Sequence, residues 1–168
     1  MNNLATRLAY TDVRITKWLA RYGLGLLRVS MGVIFLWFGG LKFFPDLSSA
    51  QDLATRTISV LSFGLVPPSV SIVILAVWEC AIGLGLILGR GLRITLLALF
   101  VQMIGTLAPL VLFPQEVFTH FPYVPTLAGQ YIIKNLVLIS AGLVLGATVR
   151  GGRLVAEPDR VQLSKPVR

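Results

Sequence analysis

Glu79 stands near the middle of an apolar run long enough to cross a bilayer, in the local sequence Trp78-Glu79-Cys80. A carboxylate at that depth is expensive in hydrocarbon, so it is paired, lines a cavity or takes part in function. Three cations share the setting: Arg28, Lys42 and Lys134 lie inside or at the ends of two other apolar runs. Gln102 falls at a similar depth on a further run, and Gln130 stands one helical turn outward of Lys134, which is followed by Asn135. Such a set offers three kinds of chemistry. It can satisfy itself as a polar core, exchange a proton, or orient the polar head of a lipid-soluble ligand.

Helical spacing aligns Arg28, Gly32, Phe35, Gly39 and Lys42 along one stripe of the first run. Snorkelling toward either membrane surface is the plain account of Arg28 and Lys42 taken singly. Their shared stripe instead favours the protein interior. Glu79 is too short to snorkel and is expected to meet Lys42 or Lys134, with Gln102 completing its hydrogen bonds. Phe35, Trp37 and Trp78 are candidates for the apolar lining of such a site. Metal, haem and hydrolytic chemistry find little support. His120 is the only histidine and Cys80 the only cysteine, which leaves no disulfide, CxxC pair or Ser/His/Asp set within one copy.

The elements that must position these residues are membrane spans. Hydrophobic residues make up 55% of the 168 and charged residues 13%, about half the share usual in soluble domains. Four stretches, roughly 24–44, 66–88, 92–113 and 128–149, approach or exceed the ~20 residues that cross the hydrocarbon. The formal net charge of +8 is unevenly placed. Arg7, Arg14, Lys17 and Arg21 precede the first span, Arg90 and Arg93 fill the short second connection, and Arg150, Arg153, Arg160, Lys165 and Arg168 follow the last. The first and third connections are balanced or acidic, with Asp46, Asp52 and Arg56 in one and Glu116 and His120 in the other. This is a positive-inside pattern that puts both termini on the cytoplasmic side of a cell (inner) membrane. The basic residues set topology and meet anionic lipid rather than nucleic acid. No cleavable signal peptide is expected, because the first span is too long for one.

The fold expected is an all-α membrane protein: an antiparallel bundle of four transmembrane helices (24–149), an N-terminal interfacial helix (1–23) and a basic tail (150–168). In the first segment Ile15, Trp18, Leu19 and Tyr22 oppose Arg14, Lys17 and Arg21, as in a helix lying in the headgroup plane. Pro45 ends the first span, and Ser48 and Gln51 have the spacing of a capping box. An outward amphipathic helix follows, with Leu47, Ala50, Ala54, Ile58 and Leu61 on its apolar side and an end near Gly64. Pro114, Pro122 and Pro125, with Phe113, Phe118, Phe121 and Tyr123, predict an extended or re-entrant cap in the third connection. Small residues for close helix approach are Gly32, Gly39 and Gly40 on span one, Ala81, Gly85 and Gly89 on span two, and Gly142 and Gly146 on span four.

The order Leu27-Arg28, then Gly32-Val33-Ile34-Phe35-Leu36-Trp37-Phe38-Gly39-Gly40-Leu41-Lys42-Phe43, resembles the DoxX-like group of small four-helix membrane proteins. Trp78-Glu79 and Gly129-Gln130-Tyr131-Ile132-Ile133-Lys134-Asn135 extend the resemblance over roughly 26–152. It implies that Arg28, Lys42, Glu79 and Lys134 are polar-core positions. It also implies association with quinone-linked oxidoreductases or with thiol and oxidative-stress proteins. Quinone reduction by this chain does not follow from it.

The leading expectation is an accessory integral membrane protein without chemistry of its own. It would bind a lipid-soluble molecule, quinone or bound lipid among the candidates, or a membrane-associated redox partner, and can form homo-oligomers. An oligomeric small-molecule or proton-coupled transporter and a purely structural subunit are the alternatives.

Overall fold

A computed structural model of the chain describes residues 3–44, 47–48 and 51–156. Pro45, Asp46, Ala50, the side chain of Arg7 and the tail from residue 157 lie outside the described residues. Helix α1 spans Asn3–Leu41, α2 Gln51–Leu61, α3 Pro68–Leu88 and α4 Leu92–Leu107. Two short helices, α5 (Pro109–Leu112) and α6 (Pro114–Val117), lead into a small antiparallel hairpin of β1 (Phe118–His120) and β2 (Val124–Pro125). Helix α7 (Leu127–Thr148) ends the bundle. Among the described residues, four helices are long and apolar enough to cross a membrane: 10–41, 68–88, 92–112 with its break at Pro109, and 127–148. The all-α bundle expected from the four apolar runs is the observed architecture.

Local chemistry accounts for the joints. Gly89 and Gly91 both adopt positive φ, which residues with a Cβ rarely do, and this closes the α3–α4 hairpin in a few residues. Pro109 cannot donate to a carbonyl in the preceding turn, so the third span breaks into α4 and α5 there. Thr126 caps α7 by accepting from the Gly129 amide (3.2 Å) and donates its own hydroxyl proton to Glu116 O (2.8 Å), which ties α7 to α6.

Packing is tightest between α1 and α3, and α4 packs on both α3 and α7. The core is built from Met31, Phe35, Ile82, Leu86, Leu96, Leu99, Met103, Ala141 and Leu145. Glycines make the α1–α3 seam. A Cβ on Gly83 would lie 2.6 Å from Leu36 N and 2.8 Å from Gly32 O, and one on Gly39 would lie 2.8 Å from Glu79 Cβ. Gly32 and Gly39 behave as their spacing predicted. Gly83 replaces Ala81, which is exposed, because the buried face of α3 runs through Ala76, Glu79, Ile82, Gly83 and Leu86. Gly40 has open space beside it.

Three features differ from the sequence expectations in detail. Residues 3–23 continue directly into the first span, since no proline interrupts them and Gly23 and Gly25 alone do not break the helix. Helix α2 is present, but it buries Thr55 and Thr57 while Leu61 stays exposed. The threonine hydroxyls return to Asp52 O and Leu53 O, which lets those residues face the protein. The third connection, where an extended or re-entrant cap was expected, is a cap folded from one helical turn, α6, and a hairpin.

Gly83→Leu is expected to disrupt the α1–α3 seam, since backbone lies within van der Waals distance on the α1 side. The thermal midpoint of the detergent-solubilised protein should fall steeply or folded protein be lost, whereas Gly40→Ala should leave it near wild type.

Candidate functional site

The polar residues of the bundle sort into two groups by depth. Arg28 lies on α1 level with the end of α3, and its Nη1 donates to Leu86 O (2.6 Å) and Ile87 O (3.3 Å). The last carbonyls of a helix lack internal partners and carry partial negative charge, so a guanidinium there closes the helix end. Gly89 leaves the room, because a Cβ at that position would run into the guanidinium.

Deeper in the bundle, the ammonium of Lys42 lies 2.6 Å from Glu79 Oε2 and also donates to Phe38 O (3.2 Å). Gln102 Nε2 donates to Glu79 Oε1 (2.9 Å). Both carboxylate oxygens are therefore bonded, one from α1 and one from α4, while Glu79 itself belongs to α3. The side chains of Lys42 and Glu79 are 8% and 12% exposed. Such a pair offsets desolvation better when its remaining groups are bonded too, as Lys42 is to Phe38 O and the second carboxylate oxygen is to Gln102.

Helix lengths explain why Lys42 reaches Glu79. Gly39 packs on Glu79 and Cys80, and α1 ends two residues later, whereas α3 continues outward to Pro68 for about 16 Å. The first span therefore stops well short of the Pro68 end of the second. Helix α2 packs against α3, α4 and α5 and occupies the outer layer that α1 leaves free. The Lys42–Glu79–Gln102 centre lies beneath that layer.

Of the predicted residues, Lys42, Glu79 and Gln102 come together, and Phe35 is buried in the adjoining core. Arg28 is roughly 20 Å along α1 from Lys42, too far to join them. Lys134 and Gln130 lie exposed on α7, away from Glu79, with the Lys134 ammonium 5.4 Å from the Tyr131 ring centroid. Helical phase decides this: Gly129, Ile132, Ala141 and Leu145 face the bundle and carry the opposite side of α7 outward. Trp37 is 68% exposed, and Trp78 is also exposed but donates from Nε1 to Ala98 O (3.3 Å). Neither indole lies in the closed centre.

A second ionic contact escaped sequence reasoning. Arg56 on α2 grips Glu116 on α6 with two guanidinium nitrogens, bonds Asp52, and lies 5.3 Å from the Phe113 ring centroid. The signal was the scarcity of charge in the two outward connections, which leaves few possible partners for each ion. Hydrogen bonding from Arg56, helped by its charge and opposed by desolvation, holds the Glu116 carboxyl below the usual range. A lowered carboxylate pKa stabilises the fold above the unfolded-state pKa, and this contribution disappears as pH falls through the folded-state value. No group of three or more His, Cys, Asp or Glu residues that could hold a metal occurs among the described residues.

Two outcomes check this arrangement. Glu79→Gln or Lys42→Met alone should destabilise the bundle by about 3–5 kcal/mol in a reversible unfolding assay, because each leaves its partner buried and unpaired. The double variant should recover part of that loss; additive losses would contradict the pairing. For the outer clasp, the excess stability of wild type over Glu116→Gln should be constant at neutral pH and vanish on acidification through the lowered carboxyl pKa, as followed by thermal unfolding against pH.

The DoxX family model matches residues 23–115, more than half of the chain. No curated protein and no solved structure matches it. The matched region contains the α1–α3 glycine seam, the guanidinium at the end of α3 and every member of the Lys42–Glu79–Gln102 centre. The chain belongs to the DoxX family of membrane proteins.

Proposed function

We propose that this protein is an accessory membrane component without chemistry of its own, and that it docks a membrane-associated oxidoreductase through the N-terminal part of α1. The observation that carries the reading is the length of that helix. Arg28 marks the level at which α3 ends, and about 25 residues of α1 lie before it, a rod of roughly 36 Å. Ile15, Leu19, Tyr22 and Leu26 repeat at four- and three-residue steps along it and are all exposed. Arg14, Lys17 and Arg21 run along another side. An apolar stripe flanked by cations suits a groove on an acidic partner. The positive-inside distribution supports a cytoplasmic position for this arm at the cell membrane.

The state of the polar centre supports the accessory role. With both oxygens of Glu79 bonded, the centre favours holding helices together over receiving a substrate. A transporter reading would need that pair to open.

A second reading has its own observation. Lys134, Gln130 and Tyr131 lie exposed on the outer part of α7, about 10 Å or less from its outer end. An exposed ammonium beside an aromatic ring suits the polar head of a lipid-soluble molecule such as a quinone.

The readings separate by site-specific photocrosslinking in native membranes. A probe at Leu19 should give a discrete adduct with an oxidoreductase subunit, and the probe at Leu143 on the outward side of α7 should not. An adduct with quinone from a probe at Tyr131, with none to protein from Leu19, would replace the first reading with the second. Lipid adducts alone from every position would sink both.

A further inference from the structure

We infer that the groove between α4 and α7 at the Arg93–Arg150 end of the bundle binds one anionic phospholipid. Its phosphate would lie between the two guanidiniums and one acyl chain along the groove. The groove has a volume of about 390 Å³, with Leu96, Leu97 and Phe100 of α4 on one side and Gly146 of α7 on the other.

Its shape comes from two glycines one turn apart. A Cβ on Gly142 would lie 3.2 Å from Phe100, so the helices are in contact at that depth. A Cβ on Gly146 would meet only Leu96 Cδ1, at 3.9 Å. The surface therefore opens beside Gly146, toward the Arg93–Arg150 end, as a slot whose floor is a glycine and whose wall is apolar. A hydrocarbon chain fits such a slot, and water gains little there.

Charge selects the head group. Arg93 lies in the first turn of α4 and Arg150 just beyond the end of α7, so both sit at one membrane surface and both line the groove. Two guanidiniums on the rim of one apolar slot repel each other, and a phosphate between them removes that cost. The N-terminus of α4, with Gly91 as its N-cap and no side-chain cap, lies at the same end and presents the positive end of the helix dipole there. Asp52, Glu79 and Glu116 are bonded to Arg56 or Lys42 elsewhere in the fold. Basic pockets between transmembrane helices recurrently take anionic head groups. Free phosphate satisfies the arginines but leaves the slot empty, which is why a phospholipid is the occupant inferred.

The test is native mass spectrometry of the full-length protein, offered phosphatidylglycerol, phosphatidylcholine with matched chains, or inorganic phosphate. Wild type should retain one phosphatidylglycerol in preference to phosphatidylcholine by about tenfold or more. Arg93→Gln with Arg150→Gln should abolish the preference, and Arg93→Lys with Arg150→Lys should keep much of it. Arg90→Gln with Arg153→Gln changes the net charge equally and should leave the preference in place. Gly146→Phe fills the slot and should lower retention of both lipids. Three results would overturn the inference: equal loss from the two glutamine pairs, full retention in a folded Gly146→Phe protein, or displacement of phosphatidylglycerol by inorganic phosphate. The first would mean diffuse surface charge, and the last two a head-group contact without a chain site.

Discussion

A carboxylate within hydrocarbon has to find its hydrogen bonds inside the protein, and the arrangement around Glu79 follows from that requirement. One oxygen takes the ammonium of Lys42 and the other the amide of Gln102, so three helices converge on a single side chain. The glycine seam is the other half of the same constraint. Gly39 faces Glu79 and Cys80, and Gly83 faces Leu36, so α1 approaches α3 closely enough for a lysine one residue past the helix end to reach the carboxylate. With bulkier residues in the seam, the helices would separate and the ion pair would lengthen. Because hydrophobic drive between helices is absent in lipid, close backbone packing and polar bonding together hold the bundle.

The two ends of the molecule answer different problems. At the end away from the termini, α1 stops early and α2 fills the layer next to the polar centre. That short helix has a modest apolar face and buries two threonines, so ionic and ring contacts from Arg56 to Glu116, Asp52 and Phe113 supplement its packing. Phe63 beyond it adopts positive φ and is 92% exposed, in a turn that extends away from the core. At the opposite end the chain presents arginines. Arg28 is used internally to close α3, while Arg93 and Arg150 rim an open slot. One cation type thus serves both helix termination and the membrane surface.

For function, the contrast between a closed centre and open surfaces matters most. The ionisable residue that first draws notice in the sequence is fully bonded within the chain. The solvent- or lipid-facing surfaces are the N-terminal part of α1, the exposed face of α7 and the α4–α7 slot, which are the surfaces the proposed partner, quinone-like molecule and lipid would use. This division is what an accessory component requires: a stable membrane body and faces that others can contact.

Much was legible in the sequence because lipid imposes strong composition rules. Four apolar runs, the short connection through Arg90 and the Arg28-to-Lys42 stripe follow from span length and helical period, which act locally. The pairing of Glu79 with either Lys42 or Lys134, and with Gln102, was narrowed by depth alone. Only the tertiary structure chose between the lysines. That choice depends on the rotation of α7, whose glycine and alanine face turns inward and carries Lys134 away, and rotation about a helix axis is set by packing against neighbours. The Arg56–Glu116 clasp, the end of α1 short of the start of α3 and the opening beside Gly146 likewise depend on how elements distant in sequence meet. Residue type and spacing determined what must be buried; the contact geometry of whole helices decided with whom.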